Sequence, residues 1–223
     1  MRRYIARALV VLSLVGLVPA VASAGPQLLC FPMVIGDARS LPWGGGGWNS
    51  PEPTYDVTRL STDTVSLLTP DVPVLVRMET LRRAVIYAAR DGAASERLFA
   101  ALRAHVPTSG RGKDAALARF DLGYAVEAFR QTRHAFPRAS AMELPEDGYA
   151  LIRESLAARG ADAATEYAAA LVAASRTFGG VSDEHLGRAL AGAPDGSDLA
   201  RTIAAHRPIW GERLTAAART ASR

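Results

Sequence analysis

The chain has 223 residues, 26 Lys+Arg against 22 Asp+Glu, a formal net charge of +4, and 49% hydrophobic residues. Three of the arginines, Arg2, Arg3 and Arg7, sit in the first seven positions, so the remainder carries 23 basic and 22 acidic residues, about +1. That balance, with Lys113 as the single lysine, excludes the basic face a nucleic-acid-binding protein needs, and one cysteine excludes an internal disulfide.

Arg2, Arg3 and Arg7 precede an apolar run of at most 15 residues, Ala8 to Ala22, interrupted by Pro19 and closed by Ala22-Ser23-Ala24. A membrane span needs about 20 apolar residues. The order of basic head, short apolar run and A-x-A motif predicts a secretory leader over 1–24, cleaved after Ala24, with an uncleaved N-terminal anchor as the alternative. The bulky Leu29 before Cys30 disfavours lipoprotein processing. The expected location is the periplasm or the outside of the cell, with no stable transmembrane segment after cleavage. Cys30, between Leu29 and Phe31, is expected to be buried as a small hydrophobe.

Residues 25–55 predict an irregular arm. Pro26, Pro32, Pro42, Pro51 and Pro53 forbid a long helix, and Gly44 to Gly47 forbid a stable strand. Yet Leu28, Leu29, Phe31, Met33 and both Trp43 and Trp48 are too apolar for a solvated linker. The arm is expected to lie over a helical body, anchored by its aromatics.

From 56 to 223 the periodicity is helical. Asp56 is placed to cap a short helix with Val57, Leu60, Thr64 and Leu68 along one side. A longer helix begins near Pro73, with Leu75, Met78, Leu81, Val85 and Ala88 inward and Gly92 as its stop. Ser95 is placed as the cap of the next, with Leu98, Phe99 and Leu102 inward. A connector, Thr108 to Gly112, leads to a helix from Asp114 to Ala135 whose face spans Leu117, Phe120, Tyr124 and Ala128. After a loop, 137–146, helices are expected from Asp147 to Arg159 and from Asp162 to Phe178. Ser182 and Ser197 are placed as caps of two further helices, and Pro208 ends or kinks the latter before a segment with Trp210 and Leu214. The fold class is all-α, in antiparallel helical hairpins.

Hairpin turns at Gly92, Gly160 and Gly196 each follow two similar helices, and 36 residues separate the last two turns. Ala93-Ala94-Ser95-Glu96 returns 70 positions later as Ala163-Ala164-Thr165-Glu166, and Leu122-Gly123 supplies a Leu-Gly pair. On these residues the segment 75–206 resembles tetratricopeptide-type helical-hairpin repeats. The resemblance implies a scaffold for protein or peptide binding, whereas a non-repetitive bundle would have the same hairpins without the repeat.

Chemical motifs are sparse. No two of His105, His134, His185 and His206 are four residues apart, so no helix-borne metal site is expected, and nothing calls for a cofactor. His105 and His206 fall near helix ends, where an imidazolium complements the dipole. Glu79 precedes Arg82 and Arg83 by three and four residues, the spacing of a surface ion pair worth roughly 0.3–0.5 kcal/mol. Trp43 and Trp48 flank the glycine run and suit either stacking on a partner or pinning the arm. The expected binding surface is Trp43, Trp48, Tyr55, Arg82 and Arg83. The expected role is a non-catalytic protein- or peptide-binding module of the cell envelope. The alternative is an envelope-polymer hydrolase built on a dispersed carboxylate such as Glu79, Glu127 or Glu166.

Overall fold

The computed structural model describes residues 26–106, 112–160, 162–177 and 179–221, without the side chains of 216 and 218–221. The leader, residues 107–111 at the expected connector, Ala161, Phe178 and residues 222–223 lie outside the described residues.

Within these residues the chain is helical throughout its body, with no strand beyond one isolated bridge, Trp43 to Pro51. A one-turn helix α1 (Gln27–Cys30) opens the arm. The body runs through α2 (Leu60–Ser66), α3 (Val74–Ala88), α4 (Gly92–His105), α5 (Lys113–Ala135) and α6 (Gly148–Arg159). It continues with α7 (Ala163–Ser175), α8 (Gly179–Gly192), α9 (Asp198–Ala205), α10 (Arg207–Trp210) and α11 (Glu212–Ala221). Among the described residues no helix is long and apolar enough to cross a membrane.

Local chemistry explains most boundaries. Asp56 accepts from Thr58 N at the 3-10 turn Val57–Arg59 that leads into α2. Asp147 caps α6 through Ala150 N, Asp162 caps α7 through Thr165 N and Ser197 caps α9 through Ala200 N. Gly160 ends α6 at φ +80, a conformation that favours glycine.

Two expected caps are corrected. Asp91, not Ser95, caps α4 by accepting from Ala94 N, which makes Gly92 the first residue of α4 rather than a stop. Ser95 is buried and donates to Ala88 O at 2.8 Å, tying α4 to α3. Ser182 lies inside α8 and donates to Ala170 O of α7 at 3.0 Å. Both hydroxyls satisfy a carbonyl on the neighbouring helix instead of their own helix start.

α3, α5 and α7 form the middle of the molecule. α6 packs along α5, α8 along α7, and α11 lies against α8. The α5–α6 crossing is close because two glycines face each other. A Cβ on Gly123 would come within 2.6 Å of Gly148 O and 2.9 Å of Leu151 Cβ. Leu98, Phe99, Phe120, Val126, Ile152 and Leu171 fill the core, each fully enclosed. Also buried, Arg77 of α3 pairs with Asp121 of α5 at 2.5 Å, both side chains 1% exposed. Burial pushes the Asp121 carboxyl above the usual carboxylate range, with the Arg77 guanidinium opposing it. Arg77 also donates to Val72, Leu68 and Thr69 carbonyls, which fixes the turn between α2 and α3.

The arm is threaded through this body rather than laid loosely on it. Leu28 and Leu29 of α1 are fully buried among α3, α5 and α7, and Leu28 N donates to Gln131 Oε1 at 3.0 Å. Cys30 is half-buried, not enclosed, because α1 turns only Leu28 and Leu29 into the core.

Candidate functional site

The side of α3 that meets the arm carries Glu79, the adjacent Arg82 and Arg83 one helical turn on, and Tyr87 a turn beyond them. Glu79 Oε1 accepts from Arg82 Nη2 and Arg83 Nε, both at 2.8 Å. Its Oε2 accepts from Arg82 Nε at 2.8 Å and from the arm's Met33 N at 3.0 Å. Arg82 Nη1 donates to Leu29 O at 3.0 Å and Trp48 O at 2.7 Å, and Arg83 Nη1 donates to Leu41 O at 2.7 Å.

The expected surface ion pair is therefore a buried one, with Glu79 1% and Arg82 0% exposed. The arm lies over it, which sequence spacing within one helix does not reveal. Burial opposes ionisation of Glu79, but the two guanidiniums outweigh it and hold the carboxyl below its usual range. Removing one partner would strand a buried charge, a loss of about 3–5 kcal/mol.

Tyr87 Oη donates to Pro42 O at 2.7 Å and accepts from Glu52 N at 2.8 Å, so one phenol holds both ends of the arm's loop. Inside that loop Trp43 Nε1 donates to Gly47 O at 2.9 Å and Gly44 N to Ser50 O at 2.8 Å. Gly45 is required here, because it sits at φ +128, a conformation that side chains rarely adopt.

The structure brings the five expected binding residues together, but Arg82 is enclosed beneath the arm and offers no surface to a partner. The Arg82 and Arg83 guanidiniums lie 5.0 and 5.6 Å from the Trp43 ring centre. Trp43 meets Tyr87 edge-on at 5.9 Å, Tyr55 meets Tyr87 at 4.7 Å, and Trp48 rests 5.9 Å from Phe136. Trp43, Trp48 and Tyr55 are half-buried, Arg82 is enclosed, and Arg83 keeps 19% of its side-chain surface.

Beside them opens a cleft of about 500 Å³ whose lining includes the rings of Tyr55, Tyr87, Pro51 and Pro53 and the polar Glu52 and Arg90. Tyr55 is the expected residue that lines it. Tyr87, Glu52 and Arg90 were missed, although Tyr87 continues the Glu79–Arg83 face four residues on and was legible by spacing alone.

The three candidate carboxylates are all engaged internally. Glu127 binds Arg176 through both oxygens, at 2.6 and 3.0 Å, and Arg130 at 2.5 Å. Arg130 also donates to Leu144 O and Glu146 O, which fastens the loop before α6. Glu166 accepts from Arg188 Nε at 2.9 Å and lies 2.5 Å from His185 Nδ1. His185 Nε2 in turn lies 2.9 Å from Tyr149 Oη, giving a phenol–imidazole–carboxylate chain across α6, α8 and α7.

Two further clefts are present. One, of about 570 Å³, lies between Ile35, Ala38, the start of α3, and the turns before α7 and α9. The other, of about 300 Å³, lies between the end of α5 and Met142–Leu144. None of Glu79, Glu127, Glu166 or Tyr149 lines any of these three clefts. Among the described residues no group of His, Cys, Asp and Glu side chains is arranged to hold a metal ion. Compared with protein-family models, curated proteins and solved structures, the chain matches none.

Proposed function

We propose that this chain is an exported helical module that binds a protein or peptide partner without catalysis, and that the Tyr55–Tyr87 cleft is its contact surface. The observation that carries the reading is the set of hydrogen bonds that fasten the loop to α3. The loop bearing Asn49 to Pro53 is held by Arg82, Arg83 and Tyr87 to backbone carbonyls and amides, so the cleft is formed before a partner arrives. Preformed clefts lined by aromatic rings and a few polar groups suit recognition, because little conformational entropy is lost on binding.

The test uses the processed chain as bait against an envelope fraction, alongside Pro53→Arg, which fills the cleft from an exposed position. A partner retained by the parent and lost by the variant, with unchanged thermal unfolding, supports the reading. Equal retention by both removes the cleft from it. Export has its own check: the purified envelope form is expected to start at Gly25.

A second reading, hydrolysis of an envelope polymer by a carboxylate-based site, is favoured by the Tyr149–His185–Glu166 chain. Glu166 would be the working carboxylate there, with His185 Nδ1 lying between it and Arg188 Nη2, the latter at 2.8 Å. Release of soluble fragments from purified envelope polymer, abolished by Tyr149→Phe and Glu166→Gln, would support it. No release by the parent chain would end it.

A further inference from the structure

Tyr167, His206 and Trp210 lie where the arm meets the C-terminal helices, each at most 1% exposed. His206 stands between α9 and α10. Its Nε2 is 3.0 Å from Pro32 O of the arm and its Nδ1 is 2.6 Å from Tyr167 Oη. Trp210 Nε1 donates to the same Tyr167 oxygen at 3.2 Å, and Phe31 packs edge-on against the imidazole at 5.6 Å. Two residues beyond Pro32, Val34 N donates to Thr202 Oγ1 of α9 at 2.9 Å.

The donors and acceptors in this chain admit one proton arrangement. A tryptophan N–H can only donate and a carbonyl oxygen can only accept, so Trp210 donates to Tyr167 Oη, the neutral ring's Nε2 carries the hydrogen toward Pro32 O, and Tyr167 directs its own hydrogen to His206 Nδ1. Nδ1 must then be unprotonated, and the ring's single hydrogen sits on Nε2, donating to Pro32 O. A second proton would place an N–H against a phenol oxygen that already accepts one. It would also leave the Tyr167 hydrogen without a partner in a buried site. The expected dipole-facing imidazolium is therefore corrected to a buried neutral ring.

We propose that His206 is an acid-released latch, holding the Phe31–Val34 part of the arm against α9 and α10 while neutral and freeing it when protonated. Ile35 and Ala38, just beyond the latch, line the 570 Å³ cleft, so release alters one wall of that cleft. The inference does not depend on partner binding at the Tyr55–Tyr87 cleft.

The electrostatics agree in sign. Burial, the largest influence, lowers the His206 pKa; donation to Pro32 O and the charge of Glu79 raise it, and Arg82 lowers it. Glu79 and Arg82 of α3 are the charged groups facing the ring, and Tyr167 of α7 titrates well above neutrality. A ring whose pKa is lower when latched gains its proton preferentially on release. The latch is therefore complete above the free value of about 6.5 and weakens as pH falls below it, by up to roughly tenfold per unit.

Hydrogen exchange of the full processed chain, corrected for intrinsic rates, reads this at the amides of Val34, held to Thr202, and Met33, held to Glu79. The lowered pKa of Glu79 keeps it charged over the range used, so that a loss at Met33 reports displacement of the arm. Between pH 7.5 and pH 5.0 their protection is expected to fall by tenfold or more. Gly44 N, held to Ser50 O in the loop clamped by Arg82, Arg83 and Tyr87, should keep its own. His185, which ties α6 to α8, reports on other amides and so does not confuse the result.

His206→Gln, which retains a donor for Pro32 O but cannot titrate, should remove the pH dependence. Tyr167→Phe, which frees Nδ1 to take a proton, should move release to higher pH. Equal Met33 and Val34 protection at the two pH values in the parent chain overturns the proposal. So does a pH-dependent loss that persists in His206→Gln. If that variant does not fold, titration of the parent's His206 ring by nitrogen NMR decides: protonation without faster Met33 and Val34 exchange overturns the latch.

Discussion

The arm and the helical body are held by different means. In the body, each helix satisfies its own backbone and needs only an apolar face to meet its neighbour, so Leu, Ala and Phe at helical spacing suffice. The arm between α1 and the 3-10 turn has little regular hydrogen bonding of its own, and its carbonyls and amides must find partners elsewhere. Those partners are side chains of the body: Arg82 for Leu29 and Trp48, Arg83 for Leu41, Tyr87 for Pro42 and Glu52, His206 for Pro32. The order of an irregular segment is thus encoded largely in the helices it crosses, and four polar residues on one face of α3 carry much of that code.

The sharpest way to break this contrast is Glu79→Ala. It leaves Arg82 buried without its anion and is expected to cost about 3–5 kcal/mol in urea unfolding. The arm should be lost first, seen as early proteolysis within 31–55. The lowered Glu79 pKa makes the same contact acid-sensitive. Its contribution is complete above the free value of about 4.3 and is lost as pH falls through the lower folded value.

A substitution in the body tests the other half. Gly123→Ala drives a methyl toward Gly148 O and Leu151, and overpacking of this kind costs about 1–3 kcal/mol. Thermal unfolding should register the loss as one cooperative transition, with the arm no more protease-sensitive than the rest. The same loss confined to the arm would erase the distinction drawn between the two regions.

Tyr87→Phe sharpens the comparison, because it removes two arm contacts while leaving the ring in place. The expected loss is about 1–3 kcal/mol, since Glu52 N and Pro42 O each lose a partner at the edge of the arm. The smallest effect should come from Arg103→Ala, which breaks a half-exposed pair with Glu146. Exposed pairs of this kind contribute roughly 0.2–1 kcal/mol and weaken in salt. Urea midpoints of the two variants, taken together, should separate arm fastening from surface charge.

The helical body was largely legible in the residues. The stripe of Leu117, Phe120, Tyr124 and Ala128 marked α5 to within one residue at its start, and Asp147, Asp162 and Ser197 marked the starts of α6, α7 and α9. The anchoring of the arm by Trp43 and Trp48 was legible as one of two readings of the glycine run. Ser95 and Ser182 misled because a hydroxyl near a helix start serves equally well as a tie to the next helix. Glu79 and Arg82 misled because spacing along one helix says which side chains can pair, not what lies over them. The Tyr55–Tyr87 cleft was half visible, through Tyr55 alone.

Periodicity, caps and breakers act within a few residues of one another, so the amino-acid sequence by itself determined that the chain folds into helices and roughly where each one starts and stops. Whether Glu79 is wet or dry, which tautomer His206 holds and which carbonyls Arg82 serves depend on segments tens to more than a hundred residues away. Burial and hydrogen-bond partnership arise between elements, and only the tertiary structure brings those elements into contact.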